Sequence, residues 1–274
     1  MTDFPANPVT KEGYILEWHD EFETSTLDTT KWIPYYLPQW SSRERSKPNY
    51  VLQNGTLVLR ITHDQQPWCP EFDGEVKASS IQTGLFAGPV GSKQGQLQFN
   101  PNLVVREAQP NTKLYTPRHG YFECRAKCCN VAGNHVSLWM IGYEDVPEHS
   151  GEIAMFEVFG KNVHPTSATV CYGVHPWGDP TLTDEFYCDQ VAIDATTFHI
   201  YAHEWTPSSI DFYIDNQVIQ RINQSPQYPL QLMLSIFELP GGDSGAVYPK
   251  EFVVDYVRVY QPQGGYEVLN APKV

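Results

Sequence analysis

The chain has no long apolar run, no sustained helical period, no internal repeat and no excess of positive charge. Without a long apolar run, it has no candidate for a membrane-spanning helix. A 3.6-residue apolar pattern never persists beyond about two turns, which argues against a helical bundle. No low-complexity linker or composition shift divides it, so residues 1–274 read as a single domain. Eighteen Lys and Arg stand against 32 Asp and Glu, a formal net charge of −14, which argues against nucleic acid or an anionic membrane as partner. A neutral polymer would be indifferent to that charge; a heavily sulfated one would be repelled unless the binding cleft were locally basic. Among six cysteines, Cys124 and Cys128-Cys129 lack the Cys-x-x-Cys spacing of a zinc site. The even count permits disulfides. Cys171 and Cys188 could close one, with free buried thiols as the alternative. Met1 to Pro8 lack the basic and apolar regions of an export signal, so the chain is expected to be cytoplasmic or to have had an export segment removed.

Short strand-like runs punctuated by Gly, Pro, Asn and Asp take the place of helices. They fall at Tyr14–Trp18, Thr56–Thr62, Tyr121–Ala126, His135–Ile141, Ser167–Gly173, His199–Trp205, Ile210–Ile214, Leu230–Phe237 and Phe252–Tyr260. Nine such runs predict an all-β sandwich or jelly roll. Between them, Gly84 to Pro117 is rich in Gly, Pro, Asn and Gln and reads as a long excursion with one hairpin, the kind of loop that often carries function. Aromatics make up 13% of residues, with 16 Tyr and 7 Trp; they suit a β-rich core and, in a cleft, would stack on sugar faces.

The segment Gly151-Glu152-Ile153-Ala154-Met155-Phe156-Glu157-Val158-Phe159-Gly160 sets two carboxylates five residues apart in an apolar run. A buried carboxylate costs several kcal/mol unless paired or neutralised, so both need a reason to be there. In a regular strand, i and i+5 face opposite ways. One bulged residue between them resets the alternation and brings both to one face. Two carboxylates so placed suit glycosidic bond hydrolysis. The plain alternative is a pair of salt bridges on a solvated strand.

At this point the chain resembles glycoside hydrolase family 16, whose bulged signature is Glu-x-Asp-x-x-Glu. The likeness extends through Trp18-His19-Asp20-Glu21-Phe22, Asn54-Gly55-Thr56-Leu57-Val58-Leu59, Gly120-Tyr121-Phe122-Glu123-Cys124-Arg125-Ala126-Lys127, Ser137-Leu138-Trp139-Met140, His199 to Trp205, Phe212 to Asp215 and Val254 to Tyr260, in the family's order. The resemblance implies a concanavalin-like β-sandwich jelly roll with a concave substrate cleft. It also implies a retaining mechanism, with Glu152 as nucleophile held ionised and Glu157 as general acid/base with a raised pKa. Because the family is mostly secreted, it favours a lost export segment.

The motif Asp is Ala154 here. Its loss is expected to leave the glutamates placed but to degrade their pKa separation, lowering turnover by about one to three orders of magnitude. An engineered change and a natural one compensated elsewhere both fit.

By the same resemblance, Trp139 would lie on the cleft floor, His175 would reach sugar hydroxyls or Glu157, and Trp177 would form an aromatic platform. Arg118 and His119 would stand at a cleft edge, Glu204 is read as mainly structural with a share in binding, and Trp40 would belong to a rim loop. Asp255, with the Gly55 carbonyl, would hold a structural calcium on the convex face. No cofactor is implied for the chemistry, and the expected state is a monomer acting on a polysaccharide.

The bulge disfavours the xyloglucan transferase and lichenase branches and makes an endo-β-1,3-glucanase the first expectation. His135-Val136 in place of Trp-Pro, and Leu234-Ser235-Ile236-Phe237-Glu238-Leu239-Pro240-Gly241-Gly242 in place of Asn-Leu-Ala-Val-Gly-Gly, loosen that specificity. A galactan-active (agarase- or carrageenase-like) hydrolase is the second expectation, and a glycan-binding protein with little turnover the third.

Overall fold

A computed structural model describes residues 2–241 and 247–266; Met1 and Gly242, which figured in the expectations above, lie outside it. The first part of the chain forms β1 (Tyr14–Asp20), helix α1 (Arg43–Ser46), β2 (Asn49–Gln53), β3 (Thr56–Ile61), helix α2 (Pro70–Asp73), β4 (Lys77–Gln82), β5 (Gly84–Leu85) and β6 (Thr112–Lys113). The middle forms β7 (Gly120–Lys127), β8 (Asn134–Gly142), β9 (Glu152–Phe159), β10 (Val163–His164), β11 (Ser167–His175) and β12 (Glu185–Val191). The last part forms β13 (His199–Trp205), β14 (Ile210–Ile214), β15 (Gln217–Ile222), β16 (Leu230–Glu238) and β17 (Lys250–Pro262).

Two antiparallel sheets pack face to face. One runs β15-β14-β13-β7-β17-β3-β2, with β1 also on β17; the other runs β10-β11-β9-β8-β16-β4, with β12 also on β11. Alternation decides which side chains meet between them. Val136, Leu138 and Met140 of β8 and Leu232, Leu234 and Ile236 of β16 enter the shared core, where they meet Phe122, Cys124, Tyr201 and Val257 from the opposite sheet. Phe156 stacks on Tyr201 across the layer, with centroids 4.2 Å apart.

The outward face of the β9 sheet is covered at one end by a second apolar cluster. Tyr36, Leu37, Trp40, Trp68, Leu97, Leu103 and Val105, from the long connections, pack onto Trp139, Ile141, Met233 and Phe237. The expected excursion at Gly84 to Pro117 contains the β5–β6 pair as its one hairpin and supplies part of this cover. A cleft therefore opens on the β9 sheet beside a wall that the connections build.

Candidate active site

The strand carrying both glutamates is bulged where the sequence requires it. On β8, Leu138 faces Phe156 and Trp139 faces Ala154, so Met155 is the extra residue. Met155 and Phe156 both turn into the core. The alternation is reset, and Glu152, Ala154 and Glu157 share the outward face. Register then builds the floor in rows: Glu157 lies between Ser137 and Cys171, Ala154 between Trp139 and Gly173, and Glu152 between Ile141 and His175. The centre of the floor stays low because the residues there are small. Gly173 must be glycine, since its φ is +149° and a Cβ would sit 2.3 Å from the Glu185 carbonyl oxygen.

A cavity of about 230 Å³ lies directly over this floor, lined by Glu152, Glu157, Ser137, Trp139, His135, Tyr36, Asp73 and apolar neighbours. A second cavity, of about 500 Å³, lies on the Trp177 side, lined by Trp177, Glu144, Asp145, Glu148 and Ser150 with residues of the excursion. The two are joined through Trp177, whose Nε1 donates to Glu152 Oε2 at 2.7 Å. Among the described residues, six carboxylates line the two cavities, and no Lys or Arg does. Lys113 reaches Asp145 at 2.8 Å from outside.

Glu152 is buried, and burial followed by the charge of Glu157 pushes its carboxyl up to about 8, against the Trp177 hydrogen bond that lowers it. That is the reverse of the expected ionised nucleophile. Among the described residues, Trp177 is the one side-chain donor to Glu152. Glu157 has His135 Nε2 at 3.2 Å, within ion-pair distance though out of line for a hydrogen bond. The His135 ring is clamped between Phe159 and Phe237, with centroids 4.4 and 5.4 Å away.

The expected residues separate into those the cleft gathers and those it does not. Trp139 lies on the floor as expected, its Nε1 donating to Ser235 Oγ at 3.0 Å. Trp177 is half exposed over the second cavity, as a platform requires, and also holds Glu152. His175 faces Glu152 in register rather than Glu157; its Nδ1 pairs with Asp184 at 2.6 Å and its ring stacks on Phe186. Trp40 is fully buried in the second cluster, its Nε1 on the Gln96 carbonyl at 2.7 Å, and not on a rim. Arg118 bonds Gln227 and lines neither cavity. His119, next to it, packs edge-on against Trp205 of the opposite sheet. Glu204 belongs to that sheet too, accepting from the Tyr14 hydroxyl at 2.5 Å, away from the cleft.

Asp255 is held by Arg125 at 2.6 Å, and the same guanidinium donates twice to the Phe4 carbonyl. With that carboxylate already committed to a cation and Gly55 in the β2–β3 turn, the two residues do not fit a calcium. The Cys171–Cys188 disulfide does form, joining directly opposed residues of β11 and β12 at the edge of the floor.

Three lining residues escaped the sequence: Tyr36, Asp73 and His135. Only His135, standing near the start of β8 in place of a tryptophan, left a signal. Tyr36 is buried, and its phenol is pushed well above 10 by burial and then by Asp73, Glu152, Cys69 and Glu157. Three cleft carboxylates thus act on one ring.

A jelly roll whose open sheet presents paired glutamates, placed by a bulge in a sugar-sized cleft, defines a glycoside hydrolase. The family model described as glycosyl hydrolases family 16 matches residues 105–258, and the chain belongs to that family. Among relatives, a beta-glucanase of Rhodothermus marinus is 31% identical, over 90% of this chain and 85% of its own length. The glucan endo-1,3-beta-glucosidase A1 of Niallia circulans is 24% identical over 94% of this chain, which spans 39% of that protein. Among solved structures, a GlcNAcα1-4Gal-releasing endo-β-galactosidase from Clostridium perfringens superposes with a TM-score of 0.85 at 36% identity, covering 97% of this chain and 66% of its own.

Proposed function

We propose that the chain is a retaining endo-glycosidase that cleaves β-galactosidic bonds within a neutral glycan. The observation that carries the chemistry is the Met155 bulge, which turns Glu152 and Glu157 to one face over one cavity. Glu152 attacks the anomeric carbon while Glu157 protonates the departing oxygen. Glu157 then takes a proton from water as that water displaces Glu152, and the anomeric configuration is retained. Trp177 favours the ionised nucleophile through its hydrogen bond and offers an apolar face to a sugar. His135, beside Glu157, stands where it can support the proton on that carboxyl when a leaving group is present.

Two facts support the substrate class. The match to the Clostridium endo-β-galactosidase is stronger in identity and extends over nearly the whole chain. The cleft lining, which among the described residues is rich in carboxylates and free of Lys and Arg, opposes sulfated or sialylated polymers. An endo-β-glucanase is the second reading, favoured by the 31% identity to the Rhodothermus beta-glucanase. The cross-strand disulfide suits a protein that works in an oxidising compartment, in keeping with export.

The test is product analysis by mass spectrometry on a glycan ending in GlcNAcα1-4Galβ, on laminarin and on mixed-linkage glucan. Release of the GlcNAcα1-4Gal disaccharide is expected. Cleavage of a glucan alone would replace the galactosidic reading with the second one.

A further inference from the structure

The floor lacks the carboxylate that the motif would place at Ala154, yet the cavity does not lack a third carboxylate. Asp73 lines it together with Glu152 and Glu157, and comes from a different element, the end of α2. Two backbone bonds close the turn holding it: Asp73 N donates to the Cys69 carbonyl at 2.8 Å, and Val76 N donates to the Asp73 carbonyl. Its side chain is fixed from behind, where Trp68 Nε1, fully buried, donates to Asp73 Oδ2 at 2.6 Å. Trp68 is itself locked edge-on against Tyr36, with centroids 4.6 Å apart. The second carboxylate oxygen, Oδ1, has no protein donor recorded among the described residues. A rigidly held carboxylate with one oxygen left for the cavity is an acceptor waiting for donors, and an ionised carboxylate can only accept.

We propose that Asp73 is a substrate-binding residue that accepts hydrogen bonds from free hydroxyls of the sugar seated over Glu152 and Glu157, and so selects against a sulfate ester there. This rests on the glycosidase reading of the same cleft. A sulfate would bring a negative charge to a cavity that, among the described residues, is lined by three carboxylates and no Lys or Arg, and would remove the hydroxyl proton that Asp73 Oδ1 needs.

The experiment measures binding by calorimetry in the Glu157→Gln background, so that turnover plays no part. Ligands are the methyl β-glycoside of GlcNAcα1-4Gal, its galactose 6-O-sulfate, and laminaritriose. Asp73→Asn is the variant, because its amide oxygen still accepts from Trp68 and keeps the turn; equal melting temperatures check this. The unsulfated ligand is expected to bind about 10-fold to 100-fold more weakly to Asp73→Asn, the usual loss for a hydrogen bond to a charged group. The preference over the sulfated form is expected to narrow. If only laminaritriose binds and Asp73→Asn weakens it likewise, the galactosidic reading fails while the role of Asp73 stands. Unchanged binding of every ligand in Asp73→Asn, or no binding of any ligand with Asp73 intact, would overturn the inference.

Discussion

Trp177 Nε1 lies 2.7 Å from Glu152 Oε2, and the hydrogen bond runs from a half-exposed indole to a buried carboxyl. Glu152 is pushed up to about 8 by burial and by Glu157, and this bond is what opposes the shift. Turnover requires Glu152 ionised with the proton on Glu157, whereas this shift, part of it due to the Glu157 charge, keeps the pair's last proton on Glu152, so loss of that proton sets the descending limb of kcat/KM near pH 8. In Trp177→Phe the bond is lost and the ring kept, so that limb should move to still higher pH. The loss of activity should be larger at pH 6 than at pH 9. A profile that falls uniformly without moving would assign Trp177 to sugar stacking alone.

Ala154 faces the cleft between the two glutamates, its neighbours in register being Trp139 and Gly173. Restoring the motif with Ala154→Asp is expected to raise turnover by about 10-fold to 1,000-fold if the motif carboxylate still matters. A gain of less than twofold on a cleaved glycan would show that the site is already compensated, and the double variant Ala154→Asp/Asp73→Asn then tests whether Asp73 supplies the compensation.

Stability should record the same buried carboxyl. With a folded-state pKa near 8 and an unfolded value near 4.3, folded Glu152 binds more proton than the unfolded chain between those values. Its contribution is present below about pH 4 and is lost as pH rises towards 8. Glu152→Gln removes that loss, so its melting temperature should match the parent near pH 4 and exceed it at pH 8. An equal difference at both pH values would place the effect in packing instead.

The bulge makes a register prediction that chemistry alone would not. Inserting one alanine after Met155 shifts Glu157 by one position and turns it towards the core, at a cost of several kcal/mol. Both activity and cooperative folding should be lost. Deleting Met155 restores strict alternation with both glutamates outward, so the deletion is expected to fold and to keep detectable hydrolysis. Circular dichroism melts and activity on the pair of variants distinguish them. Equal damage in both would mean that Met155 matters for its core packing rather than for register.

Much of this arrangement is legible in the sequence. His199–Trp205 and Ile210–Ile214 run as strands over the very residues that alternation predicted, because aromatic and β-branched side chains mark them clearly. Lys77–Gln82 went unseen, being short, serine-rich and without an apolar period. Glu185–Val191 went unseen because it pairs only with β11 and stays largely uncovered, so little of it needs to be apolar. The glutamates and their bulge were legible since they lie within one segment. Asp73 and Tyr36 were harder, because long-range packing of α2 and the connections brings them over β9, and no local spacing encodes that; His135 reaches the cleft from β8, beside β9, and only the strand register places it next to Glu157. Trp40, Glu204 and Arg118 show the converse: residue types suited to sugar contact, placed in a core, on the other sheet and on an exposed connection before β7.

The most direct test of the central claim is azide rescue of Glu152→Ala and Glu157→Ala on an activated β-galactoside and an activated β-glucoside, with the product anomers read by NMR. Glu157→Ala should give the β-glycosyl azide, since azide attacks after Glu152 has formed the covalent intermediate. Glu152→Ala should give the α-azide by direct displacement. Exchanged anomers, or no rescue of either variant with either glycoside, would contradict a retaining reaction with Glu152 as nucleophile and Glu157 as acid/base.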